Sequence, residues 1–321
     1  MKRIVSIFFS FLILKASAQK DVASLTESLT RNCTSDKQKL TAIFRWITQN
    51  ISYTTFTRQQ RPSVSATETE PDDDGPLKPL NERVAESVLK RRTAFCDGYA
   101  RLLATMCAHA SIRCEIICGY ANGGSGKAIP KFGVNHYWNA VWLDGKWQLL
   151  DATWASGYLD MRTGEFVNSF DDRYYLSSPD TFIRDHYPDD PRWTLLPDNK
   201  VPDEFRQSPF RQRSFAKYGF TSFSPGKGII EARVGDTIVL QLEREGMENI
   251  SVSHSELTDS TLFSYSSSWV FLSPDLANTE PAAMSRHLYT YPVTKPDVQW
   301  LYLLYNDDVV MRYKINIRPR P

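Results

Sequence analysis

Leu40, Ile43, Phe44, Ile47 and Ile51 recur at steps of three and four, so residues 21–50 are expected to be helical with one apolar stripe. A second helical period runs through Leu103, Ala104, Cys107 and Ala110, in a helix expected to open at Cys96. Asn81 is placed to cap a shorter helix reaching about Lys90. Arg113 to Tyr120 reads as a strand. His136 to Leu143 and Lys146 to Thr153 are apolar-aromatic runs joined by Asp144-Gly145, a strong hairpin-turn signal. Beyond Asp198 the texture changes. Runs at Ile229–Val234, Thr237–Leu242, Trp269–Leu272, Trp300–Tyr305 and Val309–Ile317 are separated by turn residues, with almost no helical period. The pattern predicts an α+β core of helices packed on an antiparallel sheet, followed by an all-β, sandwich-like domain, itself expected to be antiparallel.

The two ends of this pattern set the expected boundaries. Lys2 and Arg3 precede an apolar run from Ile4 to Leu14, and Ala16-Ser17-Ala18 has the small-x-small form of a cleavage site. The run is far shorter than the roughly 20 residues that span a bilayer. Residues 1–18 are therefore expected to be a signal peptide, 19–200 a catalytic domain and 201–321 the β-domain, in a protein exported to the periplasm or secreted, with no membrane span after cleavage. Arg58 to Pro79 holds five prolines or glycines and the Asp72-Asp73-Asp74 run, and reads as an exposed loop without calcium-loop spacing. Asn122 to Gly126 is a flexible connector, since its glycines lack the spacing of a phosphate-binding loop.

With 41% hydrophobic and 23% charged residues, the 321-residue chain has the composition of an ordinary globular protein. Lys plus Arg is 38 against 37 for Asp plus Glu, so no bulk charge points to nucleic acid or an anionic surface. Beyond the leader, the five cysteines are Cys33, Cys96, Cys107, Cys114 and Cys118, an odd number that leaves at least one thiol free. Cys114 and Cys118 lie four apart in a strand, about 13 Å, too far for a disulfide. Mostly buried, unpaired thiols are expected. Neither these cysteines nor His109, His254 and His287 have metal-ligand spacing, so no metal and no cofactor is expected.

One cysteine has a different setting. Cys96 stands at a helix N-terminus, where free N–H groups and the helix dipole favour a thiolate. A thiolate nucleophile also needs a base and a group to orient it. If Asp144-Gly145 is a two-residue turn, Leu143 faces Lys146, His136 faces Thr153, and Trp138 faces Asp151. His136 and Asp151 then share a face as diagonal neighbours, within hydrogen-bond reach. The rest of that face, Ala140, Trp142, Trp147 and Leu149, is expected to pack on a helix. A three-residue turn would put Asp151 on the wrong side. Taken singly, Cys96 could be buried filler, His136 a polar strand end, and Asp151 a cap on Thr153 and Trp154. Together they form the nucleophile, base and orienter of a Cys–His–Asp triad.

The residues that carry this chemistry resemble the transglutaminase-like superfamily, of papain-like fold. The similarity lies in Phe95-Cys96-Asp97-Gly98-Tyr99-Ala100, in His136-Tyr137-Trp138-Asn139-Ala140-Val141, and in Asp144 to Trp154. Upstream, Trp46-Ile47 and Asn50-Ile51-Ser52-Tyr53 resemble the preceding helix. His186-Tyr187-Pro188-Asp189-Asp190-Pro191-Arg192-Trp193 is similar to a segment of the kyphoscoliosis-peptidase branch. The resemblance covers roughly residues 36–197. It implies Cys96 as nucleophile, His136 as general base and later acid, Asp151 as orienter, and a structural role for His186. Tyr137 and Ala94-Phe95 depart from the usual pattern, and Tyr137 is expected to narrow the cleft. An oxyanion donor is expected from the Cys96 backbone N–H, with a side chain near Tyr53 as a further candidate.

Two functions of different class follow. The first is a thiol acyl-transfer enzyme acting on peptide or carboxamide substrates, as peptidase or amidase or as transglutaminase. The second is a binding or scaffold protein that keeps the fold with weak or no catalysis. The aromatics Trp269, Trp300, Tyr302, Tyr305 and Tyr313 are a candidate ligand platform, though their period-two spacing fits a sandwich core.

Overall fold

The computed structural model describes residues 21–54, 78–122, 132–160, 162–197, 201–245, 269–275 and 284–319. The leader at 1–18, nearly all of the 58–79 loop, residues 123–126 of the connector and His254 lie outside the described residues.

The N-terminal helical stretch is two helices, α1 (Val22–Thr30) and α2 (Asp36–Asn50), and not one. The break has a local cause. The Ser35 hydroxyl accepts from the Gln38 N–H, while the Gln38 side chain accepts from the Thr34 N–H at 2.7 Å, a reciprocal cap that starts a new helix. The α2 stripe Leu40, Ile43, Phe44 and Ile47 is fully buried. After strand β1 (Ser52–Tyr53) comes α3 (Leu80–Arg91), which starts after Pro79 without a side-chain cap. Asn81 does not cap it; its side-chain oxygen accepts from Arg101 instead. Strand β2 (Thr93–Ala94) pairs in parallel with β1 and leads into α4 (Cys96–His109). Gly98 lets α4 approach so closely: a Cβ there would lie 2.8 Å from the Ala94 Cβ and 3.0 Å from Val88.

The sheet that faces α4 contains β3 (Cys114–Ala121), β4 (His136–Leu143) and β5 (Lys146–Leu150). Asp144 and Gly145 both have positive φ, the twisted turn that a two-residue hairpin prefers. The register is the expected one, with Leu143 opposite Lys146 and Asn139 opposite Leu150. The ladder stops there. Asp151 leaves the sheet and caps the short helix α5 (Ala152–Ser156), so the expected strand to Thr153 ends three residues early. A small hairpin of β6 (Gly157–Leu159) and β7 (Phe166–Asn168) follows, and β8 (His186–Pro188) then joins the far side of β3. The order is β5-β4-β3-β8, antiparallel throughout.

The long helices cover the opposite face from the one expected. Val141, Leu143 and Leu150 share the core of α2, α3 and α4. Ile117, Trp138, Ala140 and Leu149 pack on Phe182, with Trp147, Trp193 and Leu195 alongside.

The C-terminal β-rich region has two sheets around one core. The first consists of β10 (Phe220–Ser224), β12 (Thr237–Glu245) and β14 (Met284–Pro292), while β9 (Phe210–Arg211) belongs to the second. The second runs β11 (Ile229–Arg233), β16 (Asp308–Arg318), β15 (Trp300–Tyr305) and β13 (Trp269–Leu272). It is mixed, not antiparallel: β11 pairs β16 and β13 pairs β15 in parallel. Leu240, Leu242 and Tyr289 of one sheet meet Leu301, Leu303 and Tyr313 of the other. Of the expected aromatic platform, Trp300, Tyr302 and Tyr313 are buried in the two C-terminal cores.

A second core joins the two halves. Tyr120, Phe132 and Tyr187 from the first pack with Phe205, Phe210, Trp300 and Tyr302 from the second. Arg312 is fully buried here, its guanidinium among the rings of Phe210, Tyr187 and Trp300 at 4.6, 5.0 and 5.7 Å. It donates to the backbone carbonyls of Pro188, at 2.9 Å, and Asp189.

Candidate active site

Cys96 is the first residue of α4, half-buried, where the backbone N–H groups of the first turn are not consumed inside the helix. Its side chain is near enough to the His136 ring to act on its protonation. His136 opens β4 and is 7% exposed. The helix and sheet that bring them together are tied by Asn139, fully buried, whose side-chain amide donates to Ala100 O of α4 at 3.0 Å and Glu115 O of β3 at 3.2 Å. A buried amide bridging two elements fixes their relative position through hydrogen bonds that have no solvent competitor.

The His136 Nε2 lies 2.7 Å from Asp151 Oδ2. The expected face-sharing of His136 and Asp151 therefore holds even though the ladder has ended. Asp151 has no solvent exposure and all its acceptor capacity is used. Its Oδ1 accepts from the backbone N–H groups of Thr153 at 2.8 Å and Trp154 at 3.2 Å. Its Oδ2 accepts from His136 and also from His186 Nε2 at 3.1 Å. Asp151 thus both caps α5 and bonds His136, two arrangements that the sequence presents as alternatives.

Burial and pairing oppose each other at both groups. Burial favours neutral His136, but the Asp151 charge and hydrogen bond, with Cys96 as a further partner, outweigh it and hold the imidazole pKa up at about 9. Burial likewise favours neutral Asp151, but His136 and then His186 hold its carboxyl well below the usual range. Tyr53 sits close enough to Cys96 and Asp151 to feel both charges; burial first, then those charges, push its phenol up, so it remains a protonated donor.

The sequence does not place His186 beside Asp151, where the structure puts it. Its ring is enclosed by aromatic neighbours, with Phe182 stacked at 4.2 Å and Trp154 edge-on at 4.5 Å. Its Nδ1 lies 2.6 Å from Asp185 Oδ1, and the Tyr174 hydroxyl donates to Asp185 Oδ2 at 3.0 Å. The available signal is Gly119. A Cβ there would come within 2.3 Å of Tyr187 O and 2.4 Å of Trp138, so only glycine lets β8 pair so closely.

His136, Asp151 and His186 place three potential metal-ligating atoms within 4.8 Å of one another. They do not fit an ion. The His136–Asp151 separation of 2.7 Å is a charge-assisted hydrogen bond, shorter than the roughly 3.3 Å between two ligands of a tetrahedral zinc.

Outside the polar cluster, a cavity of about 950 Å³ opens beside His136. Tyr53, Trp154, Tyr158, Phe166 and Phe170 give it aromatic walls. Tyr158 is 58% exposed and Phe170 37%, an apolar surface facing solvent at the site itself. Tyr137 does not narrow this space. It points to the other face of β4, under the Arg213 guanidinium at 4.6 Å. Of the other sulfurs, Cys107 is buried and Cys33, Cys114 and Cys118 are half-buried; none is in a disulfide.

Residues 23–152 match the family model of the transglutaminase-like superfamily, and this part of the chain is a transglutaminase-like domain. The chain is 29% identical to the kyphoscoliosis peptidase of Mus musculus over 227 residues, covering 70% of this chain and 32% of that protein. It is 27% identical to Hillarin of Drosophila melanogaster, covering 66% of this chain and 25% of that protein. It thus spans a third or less of the length of the curated relatives it matches. The periplasmic domain of TgpA from Pseudomonas aeruginosa overlaps 41% of this chain and 42% of that one at 17% identity and a TM-score of 0.29, too slight to carry an argument. Among the described residues no helix is long and apolar enough to cross a membrane.

Proposed function

We propose that the protein is a thiol acyl-transfer enzyme in which Cys96 is the nucleophile, His136 the base and acid, and Asp151 the orienter. The observation that carries this reading is the 2.7 Å bond from His136 to a fully buried, fully hydrogen-bonded Asp151, with Cys96 near enough to act on the protonation of the ring. His136 Nδ1 takes the thiol proton, and the thiolate attacks a peptide or carboxamide carbonyl. The developing oxyanion is met by the Cys96 backbone N–H and by the Tyr53 hydroxyl. The imidazolium then gives its proton to the departing amine or ammonia, leaving a thioester. Water resolves the thioester in a peptidase or amidase; a primary amine resolves it in a transglutaminase. In this reading residues 1–18 direct export, 19–200 hold the catalytic machinery and 201–321 form the accessory β-domain.

The test is a quenched peptide library offered to wild type and Cys96→Ala, with and without an added primary amine. Turnover by wild type alone supports the reading, and equal signal from both rejects it in favour of a scaffold. Incorporation of the amine selects transglutaminase over hydrolase.

A further inference from the structure

We infer that His186 is a positioning residue for the same reaction: it fixes the Asp151 carboxylate, and through it the His136 ring, in the geometry that activates Cys96. The inference rests on the thiol-enzyme reading above and extends it by one residue that lies outside the three-part motif. A carboxylate has about four lone-pair sites. Asp151 fills two with the backbone N–H groups of Thr153 and Trp154 and two with the imidazoles of His136 and His186. With His186 absent, Oδ2 keeps one donor and a free direction in which to turn. With His186 present, the carboxylate has one orientation.

His186 is suited to this because its own position is over-determined. Asp185 holds Nδ1 at 2.6 Å, Tyr174 holds Asp185, Phe182 stacks on the ring and Trp154 meets it edge-on. A rigid group transmits position where a mobile one would not. Its strand is fixed in turn from both sides. Gly119 of β3 admits β8 on one edge, and Arg312 of β16 grips the Pro188 carbonyl at 2.9 Å beyond it. The chain of contact therefore runs from the C-terminal region through β8 to Asp151 and ends at the thiol.

The titratable groups facing Asp151 are His136 and His186, with Tyr53 and Tyr99 near enough to feel its charge. Cys96 lies beyond His136, and Asp185 with Tyr174 beyond His186. Removing the His186 donor leaves the Asp151 anion with one hydrogen bond fewer, so Asp151 takes up a proton at higher pH. The imidazolium is then a weaker partner for the Cys96 thiolate, which takes up its proton earlier on acidification.

The experiment measures the second-order rate of Cys96 alkylation by iodoacetamide against pH in the full chain, with wild type, His186→Leu and His186→Gln. The leucine removes the donor and the glutamine supplies an N–H in its place. In His186→Leu the plateau rate falls roughly tenfold and the acid limb moves up by about one unit, while His186→Gln recovers most of both. A leucine variant with an unchanged profile and only a lower melting temperature makes His186 structural and overturns the inference. If His186→Leu does not fold, Asp185→Asn, which loosens His186 from the far side, decides: its acid limb moves up if the inference holds and stays if it fails. A wild-type rate that rises only near the free-thiol pKa of about 8.5 rejects the thiol-enzyme reading itself, and the inference with it.

Discussion

Asp151 and Asp189 are both carboxylates withdrawn from water, and they respond in opposite directions. Asp151 is held below the usual carboxylate range by His136 and His186 in spite of burial. Asp189 lies at the seam between the two halves, where burial, only partly offset by the Arg312 charge, pushes its carboxyl up to about 6. The difference is in where the donors point. Asp151 receives four hydrogen bonds on its two oxygens. Arg312 spends its donors on the backbone carbonyls of Pro188 and Asp189, and Asp189 Oδ1 has no hydrogen-bond partner. Cys118 Sγ, 3.9 Å from Oδ2, is a weak substitute. A nearby cation is not enough to hold a buried acid at its ordinary pKa; direct donors on its oxygens are.

This contrast can be broken first at Asp151. Asp151→Asn keeps the shape but offers His136 the wrong tautomer, so Cys96 alkylation at pH 6 should fall about a thousandfold, read by mass spectrometry of the labelled peptide. The wild-type fold should also carry a signature of the pair. His136 has its pKa raised from 6.5 to about 9 in the fold, so its contribution is complete below pH 6.5 and is lost as pH rises through about 9. Urea unfolding across that window should show the decline, and Asp151→Asn should flatten it.

The seam comes next. Arg312→Ala leaves two buried carbonyls without their donor and should cost about 3 kcal/mol in urea unfolding. The smallest effect, and the one of opposite sign, belongs to Asp189. Its pKa is raised from 3.8 to about 6 by folding, so the stability it lends is complete below pH 3.8 and lost as pH rises through about 6. Asp189→Asn should therefore gain about 1–2 kcal/mol at pH 8 and nothing at pH 3, the reverse of any conservative change at Asp151.

Much of the site is legible in the sequence because it rests on short-range rules. Asp144-Gly145 dictates a two-residue turn, the turn dictates the register, and the register puts His136 and Asp151 on one side. Cys96 at the head of α4 follows from the helical period. His186 was not legible in the same way. Its strand is three residues long, too short for any alternation to declare a face, and it reaches Asp151 only because β8 pairs with β3 across Gly119. The parallel pairs β11 with β16 and β13 with β15 were missed for a related reason: strand direction depends on connections far apart in the chain. The break between α1 and α2 was within reach, since Ser35 and Gln38 stand at capping distance.

The aromatic seam around Arg312 has a consequence for handling the protein. Cutting the chain near residue 200 would expose Tyr120, Phe132 and Tyr187 on one piece and Phe205, Phe210 and Trp300 on the other, along with a guanidinium stripped of its carbonyls. Neither fragment would be a tidy module. The two halves should melt in one calorimetric transition, and an engineer seeking a minimal enzyme would do better to trim surface loops than to discard the C-terminal region.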